Sequence, residues 1–187
     1  MRKACFLIPG DLAAPTGGYA YARRILPLMG AQDIDLRHVA LPGGYPHPDE
    51  ADLAATRAAL ADCPEDAVLL IDGLALGAMP PQMIAPCGQR IVALVHHPLG
   101  LESGLDEARA RELITNEKAV LAHCARIVST SRLTAETLTA DFAVAPERIS
   151  VAEPGTDPAA PAQGSAPEAP LSLVAVGAVS PRKAYPL

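Results

Sequence analysis

Two adjacent glycines, Gly17 and Gly18, stand between the proline-bearing loop Pro9 to Thr16 and a stretch, Tyr19 to Met29, whose pattern predicts a helix. Glycines at such a point let a ligand approach the main chain closely, and the free N–H groups and partial positive charge of a helix start favour an anionic group such as phosphate. A glycine pair before a helix also serves as a plain structural turn, but the run from Pro9 to Thr16 is longer than a tight strand-to-helix connection needs. A second group is His96-His97-Pro98 at the end of an apolar run. Imidazole placed there can donate a hydrogen bond to a substrate hydroxyl or meet charge on a phosphate, whereas the bland reading is a histidine that caps an element. Glu102 and Glu117 are isolated carboxylates, whose ordinary places are solvent and helix caps. Arg182-Lys183 follows a glycine-containing turn and joins a bidentate fork to a point charge, which suits a nucleotide diphosphate, although a basic pair near a chain end is also ordinary soluble surface.

Several chemistries lack their residues. No G-x-G-x-x-G follows the first strand, and the loop has no P-loop lysine. Ser103 lies outside any G-x-S-x-G elbow, and no Asp and His are spaced to complete a hydrolase triad. Cys5, Cys63, Cys87 and Cys124 are far apart in sequence and form no C-x-x-C pair, so reduced thiols in a cytoplasmic protein are expected, with neither a disulfide framework nor a metal site. The net charge of −6, with twelve arginines and three lysines scattered along the chain, argues against a nucleic-acid partner. With no tryptophan and only Phe6, Phe142 and four tyrosines, base-stacking platforms are scarce. Arg2-Lys3 followed by apolar residues mimics a signal peptide, but the run ends at Ile8, and no stretch reaches transmembrane length. Arg23-Arg24 on the first helix leaves room for weak peripheral contact with the inner face of a membrane.

The elements that must position these residues are legible as an alternation. Half of the 187 residues are hydrophobic, enough for one well-buried domain. Short apolar runs recur at 4–8, 34–40, 67–71, 91–95, 126–130 and 149–152, with helix-like segments between most of them. The runs at 67–71 and 91–95 are continuously apolar, as in parallel strands covered on both faces, so an α/β, Rossmann-like, doubly wound and mainly parallel sheet is expected. Helices are predicted over Asp49 to Ala61 and Asp106 to Cys124, and from a Ser131 N-cap to about Asp141. Ligands of such a sheet bind beyond the carboxyl ends of its strands, which directs attention to Pro9 to Gly18, Pro42 to His47, Asp72-Gly73, His96-His97 and Ser129 to Ser131.

Residues 1–152 thus read as one domain. From 153 to 170 five prolines with Ala, Gly and Ser replace any periodic pattern, as in an interdomain linker. Leu171 to Val176 is again strand-like, and 171–187 reads as the start of a second, truncated domain.

Taken together, Pro15-Thr16-Gly17-Gly18, the His96 strand end, Arg126 to Ser131, Ile149 to Asp157 and the tail from Val176-Gly177 to Lys183 resemble, in order and spacing, the group-1 (family four) retaining glycosyltransferases of the GT-B fold. The likeness runs along the whole chain, as N-terminal domain, hinge and first strand of the C-terminal domain. It implies transfer of a sugar from a nucleotide diphosphate sugar to an acceptor, which could be a glycan, a lipid or a small molecule. It further implies that the main chain at Gly17 and Gly18 contacts the donor diphosphate, that His96 is catalytic beside the transferred sugar, and that His97 and Glu102 meet sugar or acceptor. Lys183, with Arg182, would neutralise the leaving phosphate without a metal or other cofactor, and Gly155 and Asp157 would shape the hinge. Two positions depart from the pattern: Ala178 stands where an arginine is usual and Ala184 where a glycine is. The paired glutamates of the family's second domain would lie beyond Leu187, so turnover by this chain alone is not expected. The rival reading from the residues themselves is a non-catalytic Rossmann-like module for a phosphorylated or polyol ligand. An oxidoreductase is the weaker third, for want of the dinucleotide fingerprint and of an acidic residue placed for a ribose.

Overall fold

The computed structural model describes residues 1–166, 168–170, 172–174, 176 and 177. Each apolar run of the first 153 residues becomes a strand. These are β1 (Arg2–Pro9), β2 (Ile34–Leu41), β3 (Val68–Asp72), β4 (Ile91–Val95), β5 (Arg126–Ser129) and β6 (Ile149–Val151). They pair in the order β2-β1-β3-β4-β5-β6, parallel throughout.

Between them run α1 (Gly17–Leu28), α2 (Glu50–Ala61), α3 (Gly73–Leu76), α4 (Pro81–Ile84), α5 (Glu107–Ala122) and α6 (Arg132–Asp141). Side-chain N-caps set most of these starts. Asp49, Asp106 and Ser131 accept from the main chain of Asp52, Arg109 and Thr134, which satisfies amides that no helical carbonyl can reach. The first helix begins earlier than its sequence pattern suggests. Thr16 is its N-cap, and Gly17 and Gly18 form its first turn.

The connection from β1 to β2 runs one way along the sheet and the later connections run the other. Right-handed crossovers therefore put α1 on one face and the remaining helices on the opposite face. On the α1 side Phe6, Ile8, Ala22 and Leu94 form a small core. On the other side Leu7, Leu69, Ile71, Ala93, Val120, Ile127 and Leu138 belong to a larger one. Strands covered on both faces explain why their sequences run apolar without alternation.

The chain divides into two compact units, Met1–Glu153 and Pro154–Leu187. The first holds the whole sheet. In the second, Ser172, Leu173, Val174 and Val176 are not in a strand, contrary to the strand expected over Leu171 to Val176. Leu173, Val174 and Val176 are exposed, and no ladder partner lies beside them among the described residues, so apolar sequence alone does not make a strand there. Arg182 and Lys183, with Ala178 and Ala184, lie outside the described residues.

Candidate functional site

In this strand order β1 and β3 are neighbours whose connections leave on opposite faces, and the crevice at such a reversal is where open α/β sheets take their ligands. Four strand ends meet around it. After β1 the chain turns at Gly10, whose φ of +70° favours glycine, and a side chain there would press on the Tyr19 hydroxyl. The Tyr19 hydroxyl donates to the Pro9 carbonyl at 2.7 Å. Arg23 reaches back from α1 to the carbonyls of Leu12 and Ala14, clasping the loop that leads to the helix. The ladder of α1 opens with the Ala20 amide donating to the Thr16 carbonyl, and the Thr16 hydroxyl accepts from Tyr19. The N–H groups of Gly17 and Gly18 thus have no helical acceptor, and both residues remain open to solvent on at least one side.

At the end of β3, Asp72 is 4 % exposed. One carboxyl oxygen accepts from the Leu74 amide at 2.9 Å and caps α3. The other lies 3.9 Å from Nε2 of His96, at the end of β4. The opposite ring nitrogen, Nδ1, is 3.3 Å from the hydroxyl of Thr130, which follows β5. The Thr134 hydroxyl donates to the His96 carbonyl at 3.3 Å and ties the histidine backbone to α6. Burial pushes the Asp72 carboxyl above the usual carboxylate range and pulls the His96 imidazole below its own, each acting on the charged form, while their mutual attraction works the other way. The direction for both is toward the neutral state.

Two residues of α1 complete the enclosure. A Cβ built on Gly18 would sit 3.4 Å from both Cδ2 and Nε2 of His96, so the ring leaves room there for a methyl group and for nothing larger. The Tyr21 ring meets the imidazole edge to face, with centroids 5.5 Å apart and planes at 86°.

The loop after His96 is held from below by a buried carboxylate. Glu117 of α5 accepts from the amides of Leu99 and Gly100 at 3.0 and 3.1 Å. Gly100 has no room for a side chain, since its Cβ would fall 2.4 Å from Ile114 Cγ1. Burial raises the Glu117 carboxyl, against the pull of the two amides and His97. Glu117 therefore shapes the loop and does not face a ligand. His97 is exposed, and its Nε2 lies 3.2 Å from the Leu101 carbonyl across that loop. Glu102 follows on the exposed surface.

No protein-family model matches this chain, and no curated protein matches it. Of the residues singled out in the sequence, Gly17, Gly18 and His96 come together where β1 and β3 diverge, while His97 and Glu102 sit on the adjoining loop. Gly155 and Asp157 belong to the second unit and are exposed. In the sequence Asp72 and Thr130 stand out only as positions that follow strands, and Tyr21 carries no signal of its contact with His96. Among the described residues no group of three or more His, Cys, Asp and Glu could hold a metal ion. Nor is any described helix long and apolar enough to cross a membrane.

Proposed function

We propose that this chain serves a retaining glycosyltransferase of the group-1, GT-B kind, moving a hexose-type unit from a nucleotide diphosphate sugar to an acceptor. The observation that carries the reading is the packing of Gly18 on His96 at the divergence of β1 and β3, which joins an open helix start to a histidine at a strand end. The amides of Gly17 and Gly18 would receive the donor diphosphate, with the helix dipole behind them. His96 would flank the transferred sugar, and His97 and Glu102 the sugar or acceptor side. Arg182 and Lys183, outside the described residues, would supply positive charge to the departing diphosphate. Retention follows if the acceptor hydroxyl attacks on the face that the diphosphate leaves, giving up its proton to that leaving group. Catalysis would then come chiefly from positioning and from stabilising the departing charge.

The rival, a binding module for a phosphorylated or polyol ligand, draws on one specific feature. Both ring nitrogens of His96 are turned toward protein groups, Thr130 and Asp72, and Nε2 is buried without a hydrogen bond among the described residues. One pair of experiments separates the two. The full gene product is assayed for nucleotide release with a panel of nucleotide sugars and acceptors, and the chain is titrated with nucleotide diphosphates while the Gly17 and Gly18 amide signals are followed. Release with any donor, accompanied by shifts at those amides, is expected; shifts with no release from any donor would favour the binding module.

A further inference from the structure

The imidazole of His96 is tethered weakly for a residue at the centre of a site. Among the described residues its one hydrogen bond, to Thr130, is long at 3.3 Å, and Nε2 has none, the Asp72 carboxyl standing 3.9 Å away. A ring held in this way takes its orientation from packing. Helix α1 borders the ring at two residues: a Cβ on Gly18 would touch it at 3.4 Å, and Tyr21, nearly one turn further on, meets it edge to face.

Tyr21 has a second attachment. Its hydroxyl donates to the Ala152 carbonyl at 2.9 Å, and the Ala152 amide in turn donates to the Ser129 carbonyl at 2.8 Å. Ala152 is thus pinned from both sides directly after β6, one residue before the first unit ends at Glu153. Glu153 itself faces Arg132 at the start of α6, 3.7 Å away. Partial burial raises the Tyr21 hydroxyl above its ordinary value, so it stays a donor throughout the neutral range.

We propose that Tyr21 is a positioning residue that couples the course of the chain at Ala152 to the orientation of the His96 ring. Its catalytic consequence rests on the reading that His96 flanks the transferred sugar; the coupling itself does not. A shift of the main chain after β6 pulls on the tyrosine hydroxyl, tilts the ring and changes the face that His96 presents. The hydroxyl is the link and the ring is the lever.

The test uses the full chain and two variants. Tyr21→Phe keeps the ring and removes the hydroxyl, and Tyr21→Leu removes both. Nuclear magnetic resonance follows the His96 ring C–H signals, and amide exchange follows Ala152. In Tyr21→Phe the Ala152 amide keeps its bond to Ser129 but loses the anchor on its own carbonyl, so local opening there should become about fivefold easier and its protection fall by that factor, and the His96 signals should move. Tyr21→Leu should broaden or displace those signals further. If the His96 signals of Tyr21→Phe superpose on the wild type, or Ala152 keeps its protection, the proposal is overturned, and this holds even if Tyr21→Leu does not fold. Where nucleotide release is measurable, Tyr21→Phe should lower kcat about tenfold with KM for the nucleotide sugar unchanged, as expected of misplacement without lost binding. Failure of the full gene product to release nucleotide would count against the glycosyltransferase reading and leave the resonance result to decide the role of Tyr21.

Discussion

Gly18 separates ligand approach from stability at a single position. The 3.4 Å between its built Cβ and the His96 ring is an ordinary contact, so Gly18→Ala should fold and change stability by less than about 1 kcal/mol in thermal or urea unfolding. Gly18→Val adds branches where the imidazole stands and must displace it. That variant should weaken nucleotide diphosphate binding at least about tenfold in a calorimetric titration while keeping the native circular dichroism spectrum. Equal affinity in Gly18→Val and wild type would mean that the diphosphate does not lie over this turn. Asp72 bears on the same ring from the other side. Its carboxyl stands 3.9 Å from Nε2, where burial pushes it above the usual carboxylate range.

The loop from Pro98 to Glu102 shows how an element can depend on one distant side chain. Glu117 answers two main-chain amides that would otherwise be buried without acceptors. Glu117→Ala should cost about 3 kcal/mol in urea unfolding and raise amide exchange at Leu99 and Gly100, with Glu117→Gln intermediate because one acceptor oxygen remains. A loss under about 1 kcal/mol for Glu117→Ala would show that the loop is held by other contacts. The wider architecture was legible beforehand, because doubly covered strands such as Leu69 to Ile71 are continuously apolar and Asp49, Asp106 and Ser131 announce their helices. The role of Glu117 was not, since an acid on a helix carries no mark of which amides it will meet. The four-residue helices α3 and α4 are too short for a period to emerge, and Gly17 and Gly18 read as a turn because glycine disfavours the helix that Thr16 nevertheless starts. The contact of Tyr21 with His96 exists only once α1 crosses the sheet face. Leu173 and Val174 show the converse, a strand-like pattern without a neighbouring ladder.

At the scale of the molecule, buried titratable groups define a pH window. Burial lowers His38 and His96 below their ordinary 6.5, so as pH falls through that value the unfolded chain binds protons that the folded one resists, and stability is lost. The raised carboxyls of Asp72 and Glu117 act in the opposite sense, favouring the folded state as pH falls. On the alkaline side burial pushes the thiols of Cys63 and Cys124 from 9.0 up to about 11 and about 12. Their contribution is complete below pH 9 and is lost as pH rises toward those values. Urea midpoints measured from pH 5 to 10 should show His38→Gln flattening the acid limb and Cys124→Ala flattening the limb above pH 9; limbs parallel to the wild type would show that these groups do not set the window. The two rims of the sheet bear on a different property, self-association. At one rim β2 carries the exposed, charged Asp35 and Arg37 along its length. At the other, β6 offers only three residues before the sequence turns to Pro154, Pro158 and Pro161, which lack the amide that a growing ladder needs. A second copy that extended the sheet would have to pair with β2 beside the exposed charges of Asp35 and Arg37, or with the three residues of β6, and both rims disfavour that addition.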